Sequence, residues 1–583
     1  MKLYSEYEKV IKKIGKIEKA YFTTFNMDIE FVEKYILPPL LDTEKIENKF
    51  GLEDLNTTLI KEKKLNIKFF YDFNMLSNDK NKSTLVEIYP IRQQGGVFHP
   101  KVIYLQGSKA TYLFVGSGNL TLSGWGRNIE AFQVVRVDDN ENLHNQVLDF
   151  FDDVFELAGL DRVYKTSKKP HYENNIDFIY SFKKSDNSYF LNSLDIEKNL
   201  QIYSPYFSKD LDELFGKKEF DKVEVINIVP DLIENQKIRL EALPEDERVS
   251  FYRFKKETIS EKNADSTNHS KVWISDTKYV IGSYNCTEQA LYGSNFEASL
   301  VSSYSEKNDF EISKLDKTNP ETTDSEESIE GEKEEKVRFS SLYSFEVDYK
   351  KQGFEISELY SKVEFDTVQL LLPSFGDKKI TLNEFENLSL AEVSSIFRAL
   401  VKNKIFEVYN SDDILIYRGL IIEKNATEQT RFVNSAETLD EVFLSFLDEK
   451  NPTEGINLKD RNRDGGSEDE AIYKRQKRKN HLNYFTMFTG FKNLNKRYDE
   501  IKNDTKKLER FCYTSAISLE VTKNILVQKS NEKSLFIYLT IEELNKLIRR
   551  VNRKLPKDNK MIQLENVQIK LSKQDKAFIE AIK

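Results

Sequence analysis

The chain has 583 residues, of which 39% are hydrophobic and 32% charged, and its formal net charge is −10 at pH 7. A chain of this length exceeds one hydrophobic core, so we expect three or four domains, globular in the main because aromatic residues are abundant. The negative charge excludes uniform attraction to polyanions such as nucleic acids or anionic membranes, although a local basic cleft remains compatible with it.

Neither a secretory nor a membrane-spanning segment is visible in the sequence. The N-terminal MKLYSEYEKVIKKIGKIEKA is charged and helical in pattern, and no apolar run reaches the length of a bilayer span. The two cysteines, Cys286 and Cys512, lie far apart, which indicates neither a disulfide framework nor zinc-ligand spacing. We therefore expect a soluble cytoplasmic protein without a membrane partner.

Strand and helix patterns alternate along residues 1–305. In chain order, strands are predicted at AYFTTFN, LNIKFFYD, KVIYLQ, TYLFVGS, AFQVVRV, QIYSPYF, KVEVINIV, KVWIS and KYVIGS. Helical periodicity appears between them, at DIEFVEKYILPPLL and NQVLDFFDDVFELAG. This alternation is typical of a layered α/β fold.

The rest of the chain has other patterns. Strand patterns at TVQLLLPS, IFEVYN and ILIYRGLIIEK, around the helical SLAEVSSIFRALVK, predict an α+β domain, and the chain from AIYKRQKRKNHLNYFTMF onward is mainly helical in pattern. Two charged, aromatic-poor stretches indicate linkers or a surface insertion. We therefore expect two α/β halves, a charged linker or insertion, an α+β accessory domain, a second linker and a helical domain, at residues 1–165, 166–305, 306–339, 340–448, 449–470 and 471–583.

One pattern occurs twice. HPKVIYLQGSKATYLFVGSGN and HSKVWISDTKYVIGSYN share the order His-x-Lys, strand, second strand, Gly-Ser-x-Asn. Each copy continues to Asn-x-Glu-Ala, and upstream YFTTFN and YSPYFS occupy matching places, so the duplication spans most of residues 20–303. Each element alone is common, since Gly-Ser-x-Asn is an ordinary turn sequence, but their joint recurrence makes coincidence the minor alternative. The recurring residues are His99, Lys101, Ser117, Asn119 and Glu130 in the first copy and His269, Lys271, Ser283, Asn285 and Glu297 in the second.

This doubled pattern resembles the signature of the phospholipase D superfamily, His-x-Lys, four residues, Asp, then Gly-Ser-x-Asn. The second copy has the acid, Asp276, whereas the first has Gln106 there and a longer gap between its strands, and tyrosyl-DNA phosphodiesterases of the superfamily also lack that acid. GSGNLTLSGW, with Trp125, is more similar to nucleic-acid-processing branches than to lipid-hydrolysing ones. The resemblance implies a duplicated α/β/α sandwich with a pseudo-twofold active site where the two copies meet.

Two facing imidazoles can act on both ends of an in-line phosphodiester reaction. One, neutral, attacks phosphorus and forms a phosphohistidine, while the other, protonated, donates to the departing oxygen and then activates water. Histidine suits both tasks because its pKa is about 6.5. By the resemblance His99 is the nucleophile and His269 the acid and base, although the residues themselves leave the opposite assignment open.

The other recurring residues fit supporting tasks. Lys101 and Lys271 would hold the nonbridging phosphate oxygens by charge, and Asn119 and Asn285 would add amide donors, so no metal ion or other cofactor is required. Each serine would either bond the phosphate or tie down its turn. Each glutamate would accept a hydrogen bond from a ring nitrogen and so orient a histidine, the alternative being a surface glutamate at a strand start. The residues concerned are Ser117 and Ser283, and Glu130 and Glu297.

The first functional hypothesis is a nuclease or DNA-end phosphodiesterase. Aromatic residues near the motifs could stack bases, or pack in the core, and KRQKRKNH at 474–481 could contact phosphates, or form a solvated helical face. By analogy with bacterial restriction and anti-phage systems, the C-terminal domains suggest DNA recognition or docking of a helicase, another ATPase or another defence subunit. The alternatives are a phospholipase or phosphatidyltransferase and a catalytically silent nucleic-acid-binding scaffold. The aromatic residues are Phe98, Trp125, Tyr284 and Tyr292.

Overall fold

The protein is described here by a computed structural model. The residues it describes are 2–43, 49–61, 66–76, 85–161, 176–181, 189–233, 237–238, 240, 242–254, 268–304, 312–315, 339–361, 363, 367–373, 376–381, 384–385, 387–400, 403–427, 436–445, 483–529, 531–532, 534–570 and 572–582. The chain forms two compact units, unit 1 with residues 1–43 and 59–431 and unit 2 with residues 44–58 and 432–583. No helix in these described ranges is both long and apolar enough to cross a bilayer.

The first sheet of unit 1 has six strands in the order β3-β2-β1-β4-β5-β6. The three strands β1, β2 and β3 run parallel to one another, and the remaining pairs are antiparallel. The strands are β1 (Ile17–Thr24), β2 (Asn66–Asp72), β3 (Glu87–Ile91), β4 (Val102–Gly107), β5 (Thr111–Gly116) and β6 (Phe132–Arg136). The helices in this part of the chain are α1 (Lys2–Ile14), α2 (Ile29–Phe31), α3 (Leu37–Leu40), α4 (Lys49–Lys61), α5 (Leu122–Gly126) and α6 (Glu141–Leu157), with a π-helical turn, Val32–Ile36, between α2 and α3.

The second sheet of unit 1 has eight strands in the order β16-β12-β9-β8-β13-β14-β15-β7. Its six inner strands have the same order and the same parallel and antiparallel pairings as the first sheet. The strands are β7 (Ile176–Tyr180), β8 (Asn199–Ser204), β9 (Val225–Pro230), β10 (Leu232–Ile233), β11 (Lys237–Ile238), β12 (Val249–Phe254), β13 (Val272–Ser275), β14 (Lys278–Gly282), β15 (Ala298–Ser303) and β16 (Ile312–Lys314), of which β10 and β11 pair separately. The helices are α7 (Tyr189–Ser193), α8 (Leu211–Phe215) and α9 (Glu288–Leu291), with a 3₁₀ turn at Lys218–Phe220.

Aromatic residues fill the core around the first sheet. Phe22 of β1 stacks on Phe69 of β2 with ring centroids 4.6 Å apart, and Tyr21 packs against Phe151 and Phe155 of α6. Helix α6 begins where the side chain of Asn140 accepts a hydrogen bond from a first-turn amide. The predicted strands and helices of residues 1–305 that lie in the described ranges are confirmed, and the unit is a mixed α/β structure.

Unit 1 also contains two smaller sheets, β18-β17-β23 and β20-β19-β21-β22. Their strands are β17 (Leu342–Asp348), β18 (Gly353–Tyr360), β19 (Gln369–Leu371), β20 (Lys379–Thr381), β21 (Ile405–Tyr409), β22 (Leu415–Leu420) and β23 (Ile422–Lys424), and the accompanying helix is α10 (Leu390–Ala399). Ser389 and Glu392 close the start of α10 with a reciprocal capping box. The predicted strands of this part of the chain are β19, β21, β22 and β23, and the predicted helix is α10, whereas β17, β18 and β20 were not predicted.

Unit 2 is helical in its described residues, as predicted. Its helices include residues of α4 up to Thr58, and α11 (Leu439–Ser445), α12 (Tyr484–Ile501), α13 (Thr505–Glu509), α14 (Leu519–Gln528), α15 (Leu535–Val551) and α16 (Lys573–Ile582), with a π-helical turn at Arg510–Thr514 and a 3₁₀ turn at Lys557–Asn559. The expected linker 449–470 and the basic run 474–481 lie outside the described residues. Of the expected linker or insertion 306–339, Ile312–Lys314 forms the edge strand β16, paired with β12.

Candidate active site

His99 lies just before β4, in a segment that pairs with the second α/β half of unit 1, residues 166–305. Phe98 forms a β-bridge with Phe296, and the amide of His99 donates to the carbonyl of Phe296 at 2.9 Å. Because these bonds use the main chain, the position of His99 depends on residues almost 200 positions away. The side chain is buried, with 3% of the residue exposed.

His269 has the matching environment before β13. Asn268 forms a β-bridge with Ile129, and the amide of His269 donates to the carbonyl of Ile129 at 3.0 Å. The first half thus supports the histidine of the second copy, as the second half supports the histidine of the first.

Each histidine is held by the glutamate of the other copy. Nδ1 of His99 lies 2.7 Å from Oε2 of Glu297, and Nδ1 of His269 lies 2.8 Å from Oε1 of Glu130. All four side chains are buried or nearly so. A carboxylate can only accept, so Nδ1 carries the proton and Nε2 of each ring is left for chemistry.

The two glutamates are themselves fixed by hydrogen bonds. Oε1 of Glu297 accepts from the side-chain amide of Asn295 at 3.2 Å, and Oε1 of Glu130 accepts from that of Asn128 at 3.4 Å. Oε2 of Glu130 also accepts from the hydroxyl of Ser117. The Asn of each Asn-x-Glu-Ala motif therefore orients the carboxylate two residues later.

Both motif lysines are buried beside their histidines. Nζ of Lys101 donates to the carbonyl of His99 at 2.9 Å, and Nζ of Lys271 donates to the carbonyl of His269 at 3.1 Å. The Lys271 ammonium also lies 3.4 Å from Nε2 of His269. A positive charge beside the reactive ring nitrogen would attract an anionic oxygen to that place.

The motif asparagines lie at the ends of the neighbouring strands. Oδ1 of Asn119 accepts from the Thr24 hydroxyl at 3.3 Å and from the Asn26 amide at 3.4 Å, which directs its NH₂ group away from β1. Within the described residues, the buried Oδ1 of Asn285 has no hydrogen-bond partner. Both side chains thus retain capacity to bond a ligand.

Ser117 and Ser283 are wholly buried and bond the next strand. The hydroxyl of Ser117 accepts from the Ala131 amide at 3.0 Å, and that of Ser283 accepts from the Ala298 amide at 2.9 Å. Of the two roles considered for them, this geometry favours tying down the turn over bonding phosphate.

Two buried carboxylates, not predicted from the sequence, support the segments that carry the histidines. The amide of Phe98 donates to Oδ2 of Asp72 at 2.8 Å, and the amide of Asn268 donates to Oδ1 of Asp231 at 2.7 Å. In each copy the carboxylate thus holds the residue that precedes the histidine. The signal was present, because the matched strands KFFYD and VINIVPD both end in Asp.

Burial raises the pKa of Asp72 to about 6, against the lowering effects of the Phe98 and Asn74 amides and of the nearby His99. The effect of burial outweighs that of the two amide donors because the fold keeps the Asp72 carboxylate from water.

Asp276 directly follows β13, at the end of the strand away from His269, and bonds the start of β8 rather than either histidine. Its carboxylate accepts from the amides of Lys198 and Asn199 at 2.8 and 2.9 Å. Burial would raise the pKa of Asp276, but these hydrogen bonds outweigh it and lower the pKa. In the first copy, the longer gap between β4 and β5 supplies Ser108, whose hydroxyl accepts from the amide of Lys16 at 3.1 Å just before β1.

Most of the aromatic residues near the motifs are core residues. Phe98 packs on Phe296, and Tyr284 stacks on Phe190 with ring centroids 4.0 Å apart. Trp125 is also buried. These three are not available for base stacking as they stand, whereas Tyr292 is partly exposed and lies 4.2 Å below the ammonium of Lys217.

Two other aromatic rings, absent from the sequence-based prediction, lie at the histidines. The ring of Phe25 is edge-on to His99 with centroids 5.2 Å apart, and that of Tyr206 is edge-on to His269 at 6.3 Å. Phe25 and Tyr206 follow the matching strands β1 and β8, so an aromatic ring lies against each imidazole at the same place in its copy.

A cavity of about 810 Å³ lies beside these residues and not at them. Its lining includes Arg92, Gln93 and Asn295, and Asn295 is the residue that bonds Glu297. Within the described ranges, no group of three or more His, Cys, Asp and Glu side chains could hold a metal ion.

No family model and no curated protein matches the chain. Similar solved structures include phosphatidylserine synthase of Haemophilus influenzae (10% identity, 53% of this chain and 81% of that chain, TM-score 0.36) and yeast tyrosyl-DNA phosphodiesterase (13%, 51% and 86%, TM-score 0.33). A third is polyphosphate kinase of Porphyromonas gingivalis (10%, 51% and 46%, TM-score 0.31). All three similarities are remote.

Proposed function

We propose that the chain is a metal-independent phosphodiesterase of the phospholipase D type, with a duplicated α/β/α sandwich and a pseudo-twofold active site. The observation that carries this proposal is the crossed pair of hydrogen bonds, His99 to Glu297 and His269 to Glu130. A structural histidine has no need of a buried carboxylate from a distant repeat, whereas a histidine that must hold and release protons does.

In the first step, Nε2 of His99 attacks phosphorus, forming a P–N bond as the P–O bond to the leaving group breaks. His269, as imidazolium, gives its Nε2 proton to the departing oxygen. In the second step, the now neutral His269 takes a proton from water, whose oxygen attacks phosphorus and releases His99. The proton on His269 is thereby restored, and the balance closes without a metal or other cofactor.

The surrounding residues stabilise charge during both steps. Lys101 and Lys271 neutralise the nonbridging oxygens, and the side-chain amides of Asn119 and Asn285 donate to them. Electrostatic stabilisation in a buried site is strong because water does not screen it.

The proposed substrate is nucleic acid, and DNA in particular. Its support is the resemblance of GSGNLTLSGW to nucleic-acid-processing branches, together with Tyr292, whose partly exposed ring is available to contact a base. We place the protein in bacterial restriction or anti-phage defence, with a helicase, another ATPase or another defence subunit as partner.

The test is incubation of wild type and His99→Ala with single- and double-stranded DNA and RNA in EDTA. We expect wild type to cleave at least one of these polymers, and His99→Ala to lose about 10³-fold or more in rate. His144→Ala is the matched control, because His144 contacts Tyr104 at 3.0 Å and belongs to no part of the site.

Cleavage only after Mg²⁺ is added would overturn the mechanism, and full activity of His99→Ala would remove His99 from it. Binding of DNA without cleavage of DNA or bis-(p-nitrophenyl) phosphate would instead support the silent scaffold. Release of a headgroup from phospholipid vesicles, with no cleavage of nucleic acid, would support the lipid-acting alternative.

A further inference from the structure

An extended segment of unit 2, residues 561–567, lies along helix α15 and has no regular secondary structure. Met561 is buried in the helical core, and Leu564 and Val567 pack partly buried against the same core. Ile562, Gln563 and Glu565 between them are exposed. Apolar side chains therefore turn inward at every third residue.

Two asparagines of α15 and its C-terminal cap hold the main chain of this segment. The amide of Asn545 donates to the carbonyl of Leu564 at 2.8 Å and accepts from its N–H at 2.9 Å. Asn552 makes the same pair with Met561, at 2.9 and 2.8 Å. Each side chain thus satisfies both polar main-chain groups of one residue.

The spacing of the two asparagines matches that of the residues they bind. Asn545 and Asn552 are seven positions apart, about 10.5 Å along a helix. Met561 and Leu564 are three positions apart, about 10 Å in an extended chain running the opposite way. Because the bonds go to the backbone, any residue but proline can occupy these two places.

Two flanking hydrogen bonds join side chains of α15 to side chains of the segment rather than to its backbone. Oε1 of Glu542 accepts from the amide of Asn566 at 2.8 Å, and Arg549 donates to Oε1 of Gln563 at 3.1 Å. A ligand with polar residues between its apolar anchors would therefore be preferred.

We propose that α15 carries a peptide-binding groove, which residues 561–567 occupy in this chain, and that its ligand in trans is an extended segment of a partner protein with apolar residues at every third position. The site lies in unit 2 and is independent of the phosphodiesterase chemistry. Met561 is the one residue of the segment in the buried core, Leu564 and Val567 are partly buried against that core, and α16 beyond them is mostly exposed, with Phe578 against Tyr484 of α12. Opening of the groove breaks these contacts and leaves the contacts among the helices α11 to α15 in place. As a tethered occupant it competes at an effective concentration of about a millimolar.

The test uses the full chain and the labelled peptide KMIQLENVQIK, which copies residues 560–570. Met561→Asp with Leu564→Asp places charges at the apolar anchors and releases the segment. By fluorescence anisotropy we expect this variant to bind the peptide saturably and at least tenfold more tightly than wild type does. Adding Asn545→Ala and Asn552→Ala should weaken binding at least tenfold, whereas Asn524→Ala, on an exposed face of α14, should leave it unchanged.

Absence of binding to a released variant that keeps its helical circular dichroism would overturn the proposal, as would binding that ignores the two asparagines. Hydrogen exchange of the wild type tests it without any substitution. The amides of Met561 and Leu564 should exchange faster than those of α15, since the segment opens alone. Exchange only together with α15 would make the segment an integral part of the helical core and also overturn the proposal.

Discussion

At the residue scale, each of the two proposed catalytic histidines contacts a carboxylate that is remote in sequence. Glu297 accepts from Nδ1 of His99 and Glu130 from Nδ1 of His269. Each interaction fixes the orientation of a ring and leaves its Nε2 facing away from the carboxylate. In the proposed mechanism, one of these histidines serves as nucleophile and the other as acid.

Glu297→Gln and Glu130→Gln should each lower kcat by roughly 10- to 100-fold, since each removes the charge that supports an imidazolium. Single-turnover kinetics should distinguish them. With His99 as nucleophile, Glu297→Gln slows formation of the covalent intermediate, whereas Glu130→Gln slows both its formation and its hydrolysis, because His269 acts in both steps.

Glu213→Gln, at an exposed position of α8, is the control and should alter neither rate. If Glu130→Gln slows only formation of the intermediate and Glu297→Gln slows both steps, the two histidines have the opposite roles. Unchanged rates for both variants would exclude the proposed role of the carboxylates.

At the element scale, Asp72 connects the end of β2 to the segment that carries His99. Its carboxylate accepts from the amides of Phe98 and Asn74, at the point where the chain turns toward β4. Asp231 has the corresponding contact with Asn268 after β9. The parallel strands β2 and β9 therefore position the histidine segments through an aspartate at the end of β2 and one directly after β9.

The raised pKa of Asp72 predicts a definite dependence of stability on pH. The folded state binds the proton with a pKa of about 6, and the unfolded chain with one of about 3.9, so the folded state is protonated first as pH falls. Relative to Asp72→Asn, the wild type should therefore gain about 2 kcal/mol in unfolding free energy from pH 7 to pH 4.5, measured by urea denaturation.

Asp276→Asn is a control of opposite sign, because hydrogen bonds outweigh burial and lower the pKa of Asp276. Its contribution to stability is lost only below about pH 4, so no gain is expected between pH 7 and pH 4.5. A stability difference between wild type and Asp72→Asn that does not change with pH would contradict the assignment of Asp72.

Local sequence patterns predicted the elements of the site better than its contacts. The strands KVIYLQ and KVWIS are β4 and β13, and the Gly-Ser-x-Asn turns follow β5 and β14 as expected. Glycine is required there, since a Cβ on Gly116 would overlap the ring of Phe132 on β6. The sequence identified these elements because each is a short apolar run bounded by turn residues, as expected for strands that are buried along most of their length.

Those local patterns could not predict the contacts between elements that are far apart in the chain. The spacing from Asn to Glu is measured within one copy, whereas each glutamate serves the histidine of the other copy. Asp72 resembles any polar residue that ends a strand, and Phe25 any apolar residue after one. Their roles follow from tertiary packing. In a single sequence, the one signal of that packing is that both copies of the repeat have a matching residue at each place.

At the scale of the whole molecule, main-chain and side-chain contacts at the site join the two α/β halves of unit 1, residues 1–165 and 166–305. The β-bridges Phe98–Phe296 and Ile129–Asn268 and the two histidine–glutamate pairs all join one half to the other. Neither half alone contains a supported histidine. We therefore predict that catalysis needs both halves and that a single chain contains a complete site.

Trapping of the covalent intermediate tests this account most directly. Wild type, His269→Asn and His99→Asn are mixed with a labelled oligonucleotide, denatured without acid and digested for mass spectrometry. We predict that His269→Asn, which lacks the base for the second step, accumulates a phosphoramidate on the peptide containing His99, and that His99→Asn forms none. An adduct on any residue other than His99 or His269, or cleavage by His269→Asn at the wild-type rate without an adduct, would contradict the shared two-histidine site.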